Sequence, residues 1–431
     1  MNAVFIAIIL GAVGFAAWQE LFGPPALDPS PMAALSQAVG ESASGAVELA
    51  IGLVGVMALF LGLMRVAEAG GMLTIIARLI RPLLVRLFPD VPPDHPAMGA
   101  MVLNIAANIL GLGNAATPFG IRAMQALDTL NPQRGAATNA MALFLAINTS
   151  SVTLLPTGVI ALRAAAGSAD PAAILPTTLL ATIGSTTVAI VAAKVYQRFA
   201  PVTKPPAAPK LSAMATQDDD TGTEIDTDNS ATGYPTWVSA IALVMMAGMI
   251  PLAVLYGRSL SAWILPALIV FFLLFGLLRG VRVYETFVEG AKEGFQVALR
   301  IIPYLVAILV AVGMLRASGG LGVVTAVLGS VTGRIGLPAD VLPMALLRPL
   351  SGSGAYGVLA ATINDPAIGP DSYTGYLVST LQGSTETTFY VLAVYFGSVQ
   401  VRRIRHTLAA ALTADIAGVI FAILACTWLL R

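Results

Sequence analysis

The chain is 431 residues long, 57% hydrophobic and 11% charged, and its 23 basic side chains cancel its 23 acidic ones. A soluble domain carries roughly a quarter charged residues, so a mean hydropathy of +0.83 excludes a surface that faces water all round. Zero net charge also removes the electrostatic case for a nucleic-acid partner.

The chain opens on "AVFIAIILGAVGFAAW". No lysine or arginine precedes this run and no small-residue cleavage site follows it, so it reads as a retained first span rather than a signal peptide. Next comes Gln19 to Ser44, with three acids and no Lys or Arg; by the positive-inside bias it is external. The run "AVELAIGLVGVMALFLGLM" then approaches the ~20 apolar residues that cross a bilayer as helix. Arg65, Arg78, Arg81 and Arg86 put its far end inside.

Further on, "NIAANILGLGNAATPFG" and "INTSSVTLLPTG" interrupt apolar runs with small and polar residues. The segment Gly167 to Pro171 has no base and reads as external, whereas Lys194, Arg198 and Lys204 return the chain inside. Residues 200–235, rich in Pro, Thr, Ala and acid, cannot bury a core and read as a flexible cytoplasmic linker. Two spans, near Trp237–Tyr256 and Trp263–Leu278, cross out and back.

The second half repeats the order of the first. "LVAILVAVGMLRASGG" answers "VGVMALFLGLMRVAEAGG", "RPLSGSGAYG" answers the asparagine-rich break, and "LQGSTETTFYVL" answers "INTSSVTLLPTG", with Thr388 opposite Thr153. Such ordered self-similarity indicates duplication. Since Arg279, Arg282 and Lys292 start this half inside, and Arg402, Arg403 and Arg405 precede the last helix inside, the repeats run in opposite directions and leave Arg431 outside. The expected fold is an all-α polytopic membrane protein of two inverted-topology repeats with broken or re-entrant helices, a pattern found in many secondary transporters. Its parts are a first helix and external loop (1–40), a first repeat (41–199), the linker (200–235), two connecting helices (236–285) and a second repeat (286–431).

Non-helical backbone at membrane depth survives only where it is buried in protein or lines a wet cavity. Arg348 beside Ser351, Ser353 and three glycines therefore reads either as a ligand site or as an interfacial arginine reaching for water. Asn104 and Asn108 share a helical face, with Asn114 just beyond the glycines; these amides are ligands or helix-to-helix hydrogen bonds. Asn148, Ser150 and Thr153 in the first half and Gln382, Ser384 and Thr385 in the second supply further polar groups at breaks. Glu386 is a candidate proton site, a counter-ion for Arg348 or a solvated loop acid, and Asp415, inside the last apolar helix, is a weaker candidate for the same proton role.

The single cysteine, Cys426, has no intrachain disulfide partner and reads as a small packed residue. An intramembrane serine protease would want Gly-x-Ser-Gly and a histidine in a neighbouring helix. Here the run is "SGSG", and the two histidines are His95 in a proline-rich loop and His406 beside three arginines. With no "HExxH" or Walker-type loop, no enzyme, metal site or cofactor is expected.

At these residues the sequence resembles a known family. "SGAVELAIGLVGVMALFLGLMRVAEAGG" and "NIAANILGLGNAATPFGIRAMQALD" are similar to spore maturation protein A; "LRPLSGSGAYG", "GPDSYTGYLVSTLQGSTETTFYVLAVYFGSV" and "RRIRHTLAAALTADIAG" are similar to spore maturation protein B. The resemblance implies a nucleoside recognition, or Gate, domain in each half and a transport-like protein built as a fused A–B pair. Its matched positions are Asn104, Asn108, Asn114 and Thr117, with Arg348, Ser351, Ser353, Gln382, Ser384, Thr385 and Glu386 in the second half.

The functional expectation is an inner-membrane secondary transporter of a small polar organic solute, carboxylate-bearing because of Arg348 and the half-helix starts. The alternatives are a nucleoside or nucleobase held by the asparagines and Gln382, or a membrane scaffold or sensor that moves nothing. The expected partners are a small-molecule substrate and the lipid bilayer, with a homo-oligomer left open.

Overall fold

A computed structural model describes residues 2–23, 29–200, 233–235, 237, 238, 241, 245, 248, 263, 266–320, 322, 323, 332, 333 and 336–429. The linker and the first connecting span, around Trp237–Tyr256, lie almost wholly outside the described residues, as does Arg431. Apart from one isolated bridge between Ala136 and Arg403, the described chain is helix and connection, an all-α polytopic membrane fold.

In chain order the helices are α1 (Asn2–Phe22), α2 (Pro31–Ala69), α3 (Met72–Leu87), α4 (Pro96–Ile109), α5 (Gly113–Thr129), α6 (Asn139–Thr149), α7 (Thr157–Ala165) and α8 (Leu175–Tyr196). There follow α9 (Pro266–Leu278), α10 (Val283–Ala317), α11 (Leu342–Leu347), α12 (Gly352–Ile363), α13 (Tyr373–Ser384), α14 (Thr388–Ser398) and α15 (Thr407–Leu429). Phe5–Phe22, Pro171–Tyr196 and Thr407–Leu429 are each long and apolar enough to cross a membrane, and α2 with α3 forms a fourth candidate bent by 68° at Gly70–Gly71. Gly71 takes φ +82° at that bend, a left-handed conformation that glycine adopts without a Cβ penalty.

Equivalent helices of the two halves pack against each other, and they do so antiparallel. Along the long pair, Gly313 of α10 meets Ser42 of α2, Gly294 meets Ala58, and Gly290 meets Leu61. Along α8 and α15, Gly184 meets Phe421, Ser185 donates to the Ala414 carbonyl at 2.8 Å, and Tyr196 shares a hydrogen bond with Thr413 at 3.1 Å. Two helices read as counterparts in sequence but antiparallel in space are what inverted repeats produce.

The α2–α10 crossing depends on small residues. A Cβ on Gly294 would stand 2.6 Å from the Ala58 Cα and 2.7 Å from the Met57 carbonyl oxygen. Both are backbone atoms that cannot rotate away. Gly294→Ala is expected to force the helices apart and cost about 1–3 kcal/mol, whereas Gly45→Ala on α2, with nothing within 4 Å, is expected to be neutral or slightly stabilising. Thermal melts of the two variants in detergent check the contrast.

The apolar interior is arranged in two large clusters, and each draws on both halves. One joins α3, α4, α5 and α6 of the first repeat to Leu392, Tyr395 and Phe396 of α14. The other joins α11, α12 and α13 of the second repeat to Val159, Ile160, Ala161 and Leu162 of α7. Each repeat thus sends its second half-helix into the core of the other.

Candidate functional site

Four breaks interrupt the helices at equivalent places in the two halves: 110–112 between α4 and α5, 150–156 between α6 and α7, 348–351 between α11 and α12, and 385–387 between α13 and α14. Backbone groups freed by a break need partners, and the breaks supply them to one another. In the first half the Leu154 amide donates to the Ile109 carbonyl at 2.9 Å. Gly111, at φ +77°, lets the chain pass so close to the Leu155 carbonyl that a Cβ would collide with it. In the second half the Phe389 amide donates to the Pro349 carbonyl at 3.1 Å, and across the halves the Glu386 amide donates to the Thr149 carbonyl at 2.9 Å.

Where the breaks meet there is a cavity of about 450 Å³, lined by polar groups on several sides. Asn108 and Thr117 enter it from α4 and α5, and Asn148 from the end of α6. Ser351, Gly352 and Ser353 enter from the start of α12, and Glu386, Thr387, Tyr390 and Tyr395 from the last break and α14. Ser351 caps α12 by accepting from the Gly354 amide at 3.0 Å, so the partly positive start of that helix faces the cavity. Among the described lining residues the one charged side chain is Glu386, half-exposed to the cavity.

The two wall asparagines are held rather than loose. Asn108 donates to the Asn148 side-chain oxygen at 2.9 Å, Asn148 donates to the Phe144 carbonyl at 2.9 Å, and the Tyr395 hydroxyl donates to that same Asn148 oxygen at 3.3 Å. Behind them the wholly buried Asn104 donates to Tyr395 at 3.1 Å and to the Ala116 carbonyl at 2.8 Å. The Tyr395 ring stacks on Phe144, with centroids 6.0 Å apart. One tyrosine from the second half therefore ties the first half's asparagines together.

Of the sequence-predicted residues, the structure brings Asn108, Thr117, Asn148, Ser351, Ser353 and Glu386 to the cavity. Asn104, Ser150, Thr153, Gln382, Ser384 and Thr385 are not among the cavity's lining residues. Ser150, Thr153 and Ser384 donate to carbonyls of their own turns, those of Ala146, Ser151 and Leu381. Thr385 packs its methyl against Gly418, and Gln382 is buried. The side chain of Asn114 lies outside the described residues.

Arg348 also sits behind the wall, although the sequence points it at an anionic solute. Its guanidinium donates to the Gln382 carbonyl at 3.2 Å, to the Thr387 hydroxyl at 3.1 Å and to the Glu386 carboxylate at 3.5 Å. It is buried and spans the two breaks of the second half. Asp415 on α15 accepts from Thr388 at 2.7 Å, also away from the cavity. The wall residues absent from the sequence-read set are Thr387 and Tyr390, which lie within the break "LQGSTETTFYVL", and Tyr395 in the apolar run that follows it.

Each end of the molecule carries a clasp between the halves. At one end Arg163, fully buried, donates to the Pro370 carbonyl at 2.6 Å and pairs with Asp371 at 2.9 Å, its guanidinium lying 4.3 Å from the centre of the Tyr376 ring. At the other, Arg405 donates to the Ala137 carbonyl at 2.9 Å and to the Asn139 side chain at 3.1 Å. Neither histidine reaches the cavity. His95 caps α4 by accepting from the Ala97 amide at 3.2 Å. Burial, with Arg405 adjacent, holds the His406 imidazole down at about 4, so it is neutral at physiological pH.

Comparison with known proteins agrees with this two-part construction. The Gate family, described as nucleoside recognition, matches residues 50–166 and 298–402. Spore maturation protein A of Bacillus subtilis (strain 168) is 48% identical over 149 residues, covering 35% of this chain and 76% of that protein. Spore maturation protein B of the same organism is 45% identical over 170 residues, covering 39% of this chain and 94% of that protein. Among solved structures, CNTnw in an inward-facing substrate-bound state superposes with a TM-score of 0.38 at 14% identity, over 98% of this chain and 91% of that one. An outward-facing variant of CNTnw gives a TM-score of 0.39 at 13% identity, over 99% of each chain.

Proposed function

Because this chain belongs to the Gate, or nucleoside recognition, family and joins a spore maturation protein A-like half to a spore maturation protein B-like half, we propose that it is an inner-membrane transporter of an uncharged polar solute of nucleoside or nucleobase type. The observation that carries this reading is the lining of the cavity. Amide, hydroxyl and tyrosine groups converge there around one carboxylate. Few, fixed polar groups with aromatic faces are the means by which small-molecule sites orient a ligand.

A carboxylate-bearing solute fits this wall poorly. Arg348, its expected partner, is turned to Thr387, Gln382 and Glu386, and an entering anion would meet the exposed Glu386 side chain first. A nucleoside, by contrast, offers hydroxyl and imino donors to Glu386, an acceptor to the second side-chain N–H of Asn108, and a ring face to Tyr390. The role is passage rather than chemistry. Breaks at matched positions in antiparallel repeats form a site that either face of the membrane can reach in turn.

A thermal-shift screen of the purified protein against nucleosides, nucleobases and carboxylates tests the solute class, followed by uptake of the binder into proteoliposomes. Nucleosides or nucleobases are expected to raise the melting temperature. Asn108→Ala is expected to weaken the best of them about tenfold, the worth of roughly one hydrogen bond. Stabilisation by carboxylates alone would overturn the solute class. A binder that never crosses the bilayer would favour the scaffold or sensor reading.

A further inference from the structure

The wall of the cavity backs onto a buried acid that the binding scheme leaves unused. Asp415 lies in the third turn of α15, the most apolar of the spanning helices, and is 6% exposed. One carboxyl oxygen accepts the Thr388 hydroxyl at 2.7 Å; the other has no hydrogen-bond partner. No ion pair reaches it among the described residues.

The helices around it offer little charge. α6 carries no ionisable side chain, and the one cation on α8, Lys194, is bonded to the Leu87 carbonyl at 2.9 Å. Tyr196 of α8 bonds Thr413. On α13, Tyr373 bonds the Gly336 carbonyl and Tyr376 lies under Arg163. On α14, Tyr390 and Tyr395 face the cavity, and on α15 itself Cys426 is bonded to Thr380. Across the break, the Arg348 guanidinium is shared among Glu386, Thr387 and the Gln382 carbonyl. A lone carboxylate with one hydrogen bond in such surroundings is far more costly than the neutral acid.

We propose that Asp415 is a proton-binding site coupled to the cavity. Its carboxyl holds a proton in the arrangement seen here. The Thr388 hydroxyl that bonds it begins α14, directly after Glu386 and Thr387 of the cavity wall. Movement of the 385–387 break, as a solute enters or leaves, breaks the Thr388 bond and opens Asp415 to cavity water. The O–H bond of the acid then breaks, water or the Glu386 carboxylate takes the proton, and the site reloads from the other face. Passage of solute is thereby tied to protons. The coupling, though not the proton site itself, rests on the transport reading above.

Infrared spectroscopy of the full-length protein in lipid reads the site without requiring transport. The carbonyl stretch of a protonated carboxylic acid is expected at neutral pH, lost in Asp415→Asn and kept in Glu386→Gln. Its absence from the wild type, or its persistence in Asp415→Asn, overturns the proposal. Should Asp415→Asn fail to fold, Thr388→Val serves instead. Loss of the hydroxyl donor is expected to move the band to higher wavenumber, and an unmoved band overturns the assignment.

Proteoliposomes with labelled uridine as the probe test the coupling. Asp415→Asn is expected to lose at least tenfold of the accumulation driven by a pH gradient while retaining uridine exchange. Full gradient-driven accumulation in that variant overturns the coupling. A wild type that shows the acid band but moves no uridine supports the proton site and overturns the uridine transport reading alone.

Discussion

Replacing Arg163 with Met is expected to cost this protein about 3 kcal/mol of stability, seen as a large drop in melting temperature or in the yield of folded protein. Arg163 is fully buried. Besides Asp371 it satisfies the Pro370 carbonyl at 2.6 Å, Ser168 at 3.1 Å, and Ser379 and the Asp170 carbonyl at 3.4 Å. Removing one member of a buried pair typically costs about 3–5 kcal/mol because the survivor is left uncompensated. Here the survivor, Asp371, is 38% exposed and keeps the Ala169 amide at 2.8 Å, which sets the cost at the lower end. Arg65 and Glu68 are paired at the same 2.9 Å, with 34% and 20% exposure. That pair lies within one helix in a wetter setting, and Arg65→Gln is expected to cost below about 1 kcal/mol. Equal distances with unequal outcomes would show that burial, not the ion pair, makes the clasp strong.

The second large effect separates stability from binding at one pair of residues. Arg348→Met is expected to destabilise by about 2–3 kcal/mol, since it strips buried hydrogen bonds from the Gln382 carbonyl and from Thr387, each worth about 1.5–3 kcal/mol when the donor is charged. Glu386→Gln is expected to change stability by less than about 1 kcal/mol. The carboxylate is 50% exposed, its contact with Arg348 is long at 3.5 Å, and the amide oxygen of Gln can still accept. Its expected defect lies in solute affinity, a loss of at least about tenfold, because a charged acceptor in the cavity wall becomes a neutral one. Denaturation and binding measured on both single variants and on the double variant check this. A coupling energy above about 2 kcal/mol in stability would mean that the pair, rather than Arg348's neutral partners, holds the breaks together.

The breaks themselves were legible in the sequence. Glycines, serines and asparagines inside apolar runs have little other use at membrane depth, and "NIAANILGLGN" and "RPLSGSGAYG" announced themselves that way. The antiparallel relation of the halves was legible too, through the side on which Arg65 and Lys292 fall. What stayed hidden was direction and distance. Arg348 was visible as costly, but nothing in its neighbours says whether the guanidinium turns toward the cavity or behind it; the positions of Thr387 and the Gln382 carbonyl decide that. Tyr395 is 4% exposed, yet its hydroxyl organises Asn104 and Asn148 from 291 and 247 positions away. Arg163 meets Asp371 over a similar separation, far outside the reach of any local pattern.

The exchange of half-helices between the two cores carries a consequence for assembly. Without α14 the first repeat lacks a side of its own interior, and without α7 the second repeat lacks the same. Neither has a complete self-contained native state, so each is an obligate ligand of the other. Where such partners are separate polypeptides, their folding depends on meeting at matched abundance, and an excess of either is a chain with exposed core. Covalent connection removes that dependence. It fixes the stoichiometry at one to one and replaces a search across the membrane with a high local concentration. In a single chain, synthesis of the second half becomes the step that completes the first.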